Sequence, residues 1–238
     1  MLILGIDSSS KTASVAVFCD GADKKGKILS DINSGGNISH SENLLPMIDY
    51  ALKSAGVSAS DIDLFAVANG PGSFTGIRIG VATVKGLAFG SGNNCIGVSS
   101  LQALAYNFAA DAQCAPLHDV MILPVIDARR RQVYNAVFDN NLEYIKSERV
   151  ITVDDLECEL NLNYADKRVV FTGDGAGLCY DEIKFPGKLE IPEILKRPSA
   201  GALCAAALHG YKKSGAINAD KLAPAYLIKT QAEREYAK

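Results

Sequence analysis

Gly70-Pro71-Gly72-Ser73-Phe74-Thr75-Gly76-Ile77-Arg78-Ile79-Gly80 follows an apolar run, Leu64–Ala68, and passes from a glycine-rich turn into a segment with helical periodicity. Pro71 suits a turn, Gly72 permits a positive φ, and Ser73 is placed to cap a helix over Phe74–Phe89, which Gly90 can end. Glycine amides ahead of a helix also suit a phosphate, so Gly70, Gly72 and Ser73 stand as nucleotide-proximal candidates. The Gly-Lys-Ser/Thr ending of a Walker loop is absent, and both readings remain open. Beyond the turn the helix is apolar nearly all round. Ile77, Val81, Val84 and Ala88 form one stripe, Gly76, Gly80, Thr83 and Leu87 a second, and Ile79, Ala82 and Gly86 nearly a third. Arg78 and Lys85, seven residues apart, share one side. Interior glycines cost about 1 kcal/mol each against alanine, so Gly76, Gly80 and Gly86 imply the close approach of another backbone.

Outward from this run, strands are predicted at Leu2–Ile6, Ala13–Phe18, Lys27–Asn33 and Cys95–Val98, with helices from about Ser41 to Ala55 and over Leu101–Ala109. After a boundary at Ala110–His118 the opening repeats, with strands at Met121–Ile126 and Gln132–Phe138. At an offset of 120, Ile6/Ile126, Asp7/Asp127, Ala16/Ala136, Val17/Val137 and Phe18/Phe138 are identical, which suggests a duplication. Val169–Thr172 is a further strand before the turn Gly173–Gly177, and Ser199–Tyr211 is the clearest helix of the second half. A hairpin followed by alternating helices and strands gives a mixed sheet with helices on its faces. The expectation is an α/β chain of the actin-like (ASKHA) type. It has two ribonuclease-H-like lobes, residues 1–110 and 111–238, with the second abbreviated and the first turn of each facing a cleft.

A net charge of −3 over 238 residues gives no basic footprint for autonomous nucleic-acid binding. The six cysteines are scattered without a C-x-x-C pair, as suits buried thiols of a cytosolic protein. No cationic leader or membrane-length apolar run is visible, so the cytoplasm is the expected location. Asp7 and Asp127, at strand ends, have the residue type that holds a phosphate-bound metal through water, or else caps a turn. Ser8, Ser9 and Ser10 suit a phosphate hairpin or an ordinary polar turn. Arg129-Arg130-Arg131 is locally basic: a phosphate or acidic-partner contact, or a solvated hairpin tip. His40, His118 and His209 are far apart and fit neither a metal motif nor a triad, and Ser39 with Glu42 has the spacing of a capping box.

The helix before the glycine run is also over-apolar. Leu44, Leu45, Met47, Ile48, Ala51 and Leu52 cover more than half its girth, and Pro46 either kinks it or delays its regular part. Two such helices on one small lobe make an apolar patch of the kind that marks an interaction site, and pairing with a copy or a homologue would give a four-helix bundle. The expected partner surface takes these six residues with His40 and Ser41 from the first helix. From the second it takes Thr75, Arg78, Ile79, Ala82, Thr83, Lys85, Gly86 and Phe89.

Ile6-Asp7-Ser8-Ser9, His40-Ser41-Glu42-x-Leu44-Leu45-Pro46, the Gly70–Gly80 run, Asp127-Ala128-Arg129-Arg130-x-Gln132-Val133-Tyr134 and Pro224-x-Tyr226-Leu227 together resemble the bacterial TsaB (YeaZ) family. The family's C-terminal Tyr-Leu-Arg reads Tyr226-Leu227-Ile228-Lys229 here. The resemblance implies a non-catalytic subunit in the formation of N6-threonylcarbamoyladenosine at position 37 of tRNAs reading codons that begin with A. It implies pairing with the metal-containing paralogue TsaD and with the P-loop ATPase TsaE, and nucleotide near the subunit junction rather than a cofactor of the chain's own; the two apolar helices are expected to bind TsaD and to pair two copies when TsaD is absent. The paralogue's second metal-motif histidine is missing after His40. An actin-like small-molecule kinase or ATPase is the alternative, and a peptidase is disfavoured because neither metal ligands nor a nucleophile–base pair is visible in the sequence.

Overall fold

The computed structural model describes residues 1–21, 26–34, 39–110 and 119–227. The first sheet has five strands: β1 (Leu2–Asp7), β2 (Ser14–Cys19), β3 (Lys27–Asn33), β4 (Leu64–Gly70) and β5 (Asn94–Ser99). Their order is β3-β2-β1-β4-β5, antiparallel across the β1–β2–β3 meander and parallel from β1 through β4 to β5. Two helices, α1 (His40–Ala55) and α2 (Phe74–Ser91), cover one face, where Leu4, Ile6, Val15, Val17, Phe65 and Val67 meet Leu44, Ile48, Ile77, Val81 and Val84. Helix α1 is continuous through Pro46, whose missing N–H leaves the Glu42 carbonyl without its usual donor. Helix α2 ends at Gly92, which takes the left-handed conformation, and not at Gly90.

After α3 (Ser100–Ala110) the second sheet has four strands: β6 (Val120–Arg129), β7 (Gln132–Phe138), β8 (Tyr144–Thr152) and, beyond α4 (Val153–Asn163), β9 (Arg168–Thr172), in the order β8-β7-β6-β9. The pattern is that of the first sheet without its last strand, which makes this half the abbreviated copy. Leu123, Val125, Val137 and Phe171 pack outward against α4 and against α5 (Ala176–Glu182). The turn over Gly173–Gly177 is therefore shorter than its glycines suggested, because α5 begins at Ala176.

The register corrects one part of the duplication. Ile3 pairs with Phe18 and Ile122 with Phe138, so equivalent residues of β1 and β6 are 119 apart while those of β2 and β7 are 120 apart. Burial agrees: Leu4 and Ile6 face α1 and α2, whereas Ile126 turns to the opposite face with Ile122. The Ala-Val-Phe match is in register. The Asp7/Asp127 match is one residue out, and a one-residue slip in a strand changes the face.

The two middle helices also depart from the expected lobes. In α3, Leu101, Leu104, Ala105 and Phe108 pack on Ile122, Ile126, Ala136, Phe138 and Val170 of the second sheet. Helix α6 (Ala200–Ser214), expected as the second lobe's main helix, lies on the first sheet, where Leu203, Cys204, Ala206 and Ala207 meet Ile3, Phe18, Leu64, Ala66 and Ala68. Gly5 allows this approach, since a Cβ there would come within 2.5 Å of the Cys204 sulfur. The layers thus run α1/α2, first sheet, α3/α6, second sheet, α4/α5. The chain then returns over the first lobe, with Ile217 bridging Cys95 and Leu222 entering the α1/α2 core. The boundary expected at Ala110–His118 falls largely outside the described residues, as do Ile228 and Lys229.

Candidate functional site

Between the lobes lies a cleft of about 820 Å³, walled on one side by Ser9, Ser10, Lys11, Thr12, His40, Gly72 and Ser73. The facing wall carries Asp127, Ala128, Arg129, Tyr134, Gly173 and Asp174, and Glu193, Lys196 and Arg197 close one end. The first turn of each lobe therefore faces this space.

Each wall is built in a similar way: a glycine turn after the fourth strand of the lobe, β4 or β9, packs against the C-terminal end of its first strand or the turn that follows. A Cβ on Gly72 would strike the Ser9 carbonyl oxygen, and one on Gly173 would strike that of Val125. Both glycines have positive φ, at 153° and 106°. In the first lobe the lacing is dense. The Ser73 amide donates to the Ser9 carbonyl at 2.7 Å, and the Ser8 hydroxyl donates to the Gly76 carbonyl at 2.9 Å. The Ser73 hydroxyl caps α2 by accepting from the Gly76 amide at 3.3 Å.

Further internal bonds occupy the polar groups of the serine turn. Asp7 is buried behind Ser9, and its Oδ1 accepts from the Ser9 amide at 2.9 Å and the Ser9 hydroxyl at 2.7 Å. Burial raises its pKa, and the two Ser9 bonds and the neighbouring His40 oppose that rise. Asp7 is a turn-capping carboxylate off the cleft wall, and Ser8 is spent on α2. Only Ser9, Gly72 and Ser73 of the nucleotide-proximal set reach the cleft; Asp7, Ser8 and Gly70 do not line it. His40, expected on the partner surface, instead lines the cleft and donates Nε2–H to the Ser10 carbonyl at 2.8 Å, which accepts only. The capping box expected of Ser39 and Glu42 does not form, because the Ser39 hydroxyl pairs with that of Ser41 at 2.6 Å.

On the facing wall Asp127 accepts from the Arg129 amide at 2.7 Å and meets its guanidinium at 3.2 Å. The Asp127 amide donates to Asp174 Oδ1 at 3.0 Å, and burial raises the Asp174 pKa. Asp174, Lys196 and Arg197 were not singled out from the sequence. The signal for Asp174 was the Gly-Asp-Gly turn after a strand, the second lobe's counterpart of the Gly70 turn. Arg129, Arg130 and Arg131 all have positive φ, at 68°, 55° and 58°, in a tight hairpin where glycine or asparagine is usual. Arg131 is tied to Asp154 at 2.8 Å and Glu182 at 2.6 Å. Among the described residues no three His, Cys, Asp or Glu side chains group as a metal site.

The expected partner surface divides in two. On α1, Leu44, Met47, Ile48, Ala51 and Leu52 are buried in their own lobe's core, leaving Ser41 and Leu45 exposed and adding Tyr50. That correction follows from a sheet face with four strands' worth of aliphatics to cover. On α2, Thr75, Arg78, Ala82, Gly86 and Phe89 are exposed, and Ile79, Thr83 and Lys85 are half-buried. Phe89 is 86% exposed. The helix glycines split likewise. A Cβ on Gly76 would hit the Ser8 carbonyl and one on Gly80 would come 2.5 Å from the Ser8 hydroxyl, whereas Gly86 has nothing within 4 Å. The close approach implied by Gly76 and Gly80 is made within the chain.

A strand-meander lobe, repeated and facing its copy across a cleft, places the chain among the actin-like, ribonuclease-H-type proteins. Residues 35–236 match the family model described as TsaD, tRNA N6-adenosine threonylcarbamoyltransferase. The "tRNA threonylcarbamoyladenosine biosynthesis protein TsaB" of Bacillus subtilis is 31% identical over 182 residues, 75% of this chain and 73% of that protein. The Escherichia coli protein of the same name is 34% identical over 144 residues, and the matched segments span about half the length of it and of the Haemophilus influenzae relative (56% and 52%). A Pseudomonas aeruginosa structure described as similar to peptidase YEAZ superposes with a TM-score of 0.80 at 26% identity, covering 95% of this chain and 99% of that one. The chain belongs to the TsaB family.

Proposed function

We propose that this chain is a non-catalytic subunit in the formation of N6-threonylcarbamoyladenosine at position 37 of tRNAs reading codons that begin with A. It docks on a TsaD paralogue through the exposed stripe of α2, and a TsaE ATPase joins the pair with nucleotide at their junction. Without TsaD the same stripe pairs two copies. The observation that carries this reading is the pairing of opposites at α2. The polar turn that would serve a ligand is consumed by internal bonds, while Ala82, Gly86 and the 86%-exposed Phe89 are left bare. The net charge of −3 leaves most tRNA phosphate contacts to the partner. Among the described residues no helix is long and apolar enough to cross a membrane. A cytoplasmic location goes with this role.

Reconstituted threonylcarbamoylation with and without this chain is the test, with modified tRNA as the readout. Equal activity without the chain refutes the assignment. Ala82→Glu is expected to abolish co-elution with TsaD while leaving the thermal transition unchanged.

The cleft, with Lys11, Arg129 and Lys196 on its walls, favours a second reading as a nucleotide-dependent kinase or ATPase. Under it the isolated chain binds magnesium–nucleotide, and calorimetry that detects no binding removes it.

A further inference from the structure

Resting on that docking role, we infer that Arg78 is the specificity element of the α2 surface, a pre-organised cation that selects a partner helix bearing a carboxylate over a second copy of this chain. Helix α2 carries two charged residues, both basic, and no acid. The Lys85 ammonium is already spent, donating to the carbonyls of Asp220 at 3.2 Å and Leu222 at 3.1 Å. Arg78 is held differently. Its guanidinium carbon lies 3.8 Å over the centre of the Phe74 ring, and its Nε donates to the Tyr226 hydroxyl at 2.9 Å. The rings of Phe74 and Tyr226 stack with centres 4.8 Å apart, so the ring under the guanidinium and the hydroxyl at its edge hold each other in place.

One face and one donor of the guanidinium are thereby used. Neither terminal nitrogen has a protein partner among the described residues, and the residue is exposed. A fork whose orientation is already fixed loses little side-chain entropy on meeting a carboxylate, and its planar geometry favours two parallel bonds. Arg78 lies one helical turn from Ala82, so that carboxylate belongs on a helix packed along the small-residue stripe. Two-fold self-pairing brings α2 against α2 and sets Arg78 opposite a surface without an acid. On α1, Asp49 is already paired with Lys53 at 2.6 Å, which leaves Glu42 as that helix's other acid.

The test measures two equilibria with the full chain: binding to the TsaD-family protein of the same genome, and self-association by ultracentrifugation. Arg78→Glu is expected to weaken the mixed complex roughly tenfold or more without weakening self-association. Arg78→Lys is expected to recover part of the loss, and Tyr226→Phe to fall between it and wild type. Added salt should weaken the wild-type complex more than the Arg78→Glu complex. Unchanged mixed affinity in Arg78→Glu overturns the inference, and so does an equal loss in both equilibria. It is also overturned if Glu42→Gln weakens self-association as much as Arg78→Glu does, because the carboxylate then belongs to a second copy. Wild-type chain that fails to bind the TsaD-family protein removes the docking role itself.

Discussion

Single atoms decide what the serine turn and the glycine helix do. Gly76 and Gly80 face Ser8 at distances no Cβ tolerates, so Gly76→Ala and Gly80→Ala are each expected to lower unfolding free energy by about 1–3 kcal/mol in urea titrations. Gly86→Ala meets open space, and is expected to raise it by up to about 1 kcal/mol, with its effect on association measured separately. Asp7 offers a second test. Its native pKa is raised by burial, so the folded state holds the proton more tightly than the unfolded chain does. The stability it contributes is fully present below the ordinary aspartate value of 3.8 and is lost as pH rises through the native value. Asp7→Asn keeps an oxygen for the Ser9 donors. The mutant should match wild type near pH 3.5 and become the more stable of the two as pH rises, in unfolding curves across that range. An advantage that shrinks with pH contradicts the assignment.

Elements differ in how plainly the sequence announces them. The glycine turn, its Ser73 cap and the inward stripe of α2 were legible because turn chemistry and 3.6-residue periodicity coincide there. β8 was not, since Tyr-Ile-Lys-Ser-Glu-Arg-Val-Ile-Thr is a charged edge strand without clean alternation. α4 was missed because its acidic sequence shows only Val153, Leu156 and Leu160 to the core. The burial of α1 was misjudged because an amphipathic stripe does not say whether sheet or partner covers it; the strand aliphatics opposite decide that. The Pro224-x-Tyr226-Leu227 motif of the returning segment was legible, but its course over the first lobe was not, because contacts distant in sequence fix it. Lys85→Met should free that segment from its carbonyl anchors. Hydrogen exchange over residues 217–226 is expected to speed up several-fold while far-UV circular dichroism stays constant. Unaltered exchange shows the anchor to be idle.

At the scale of the molecule, the two sheets are joined through the α3/α6 layer, and the joint has a polar lock at its edge. Ser14 accepts from the Ala200 amide at 2.8 Å and donates to Asp31 at 3.3 Å, while Ser199 reaches the same carboxylate at 3.4 Å. The start of α6 is thus fastened to β2 and β3 of the other lobe. Asp31→Ala leaves the Ser14 and Ser199 hydroxyls short of an acceptor. A loss of about 1–3 kcal/mol is expected, read as a lowered thermal midpoint. Little of this layer was legible in advance: the strand pair that opens each lobe was, but which sheet each middle helix covers depends on packing, not on order along the chain.

The exchange of α3 and α6 between sheets also bears on how the chain is made. Ile3, Phe18, Leu64, Ala66 and Ala68 leave the ribosome in the first third of synthesis, yet their cover, Leu203 to Ala207, is translated more than a hundred residues later. At about 5–20 residues per second most of the inner face of the first sheet, apart from the part that Ala103 of α3 meets, stays bare for on the order of ten seconds. A nascent chain in that interval is half a protein with one wet side. A premature stop before α6 yields not a smaller working lobe but a sticky one.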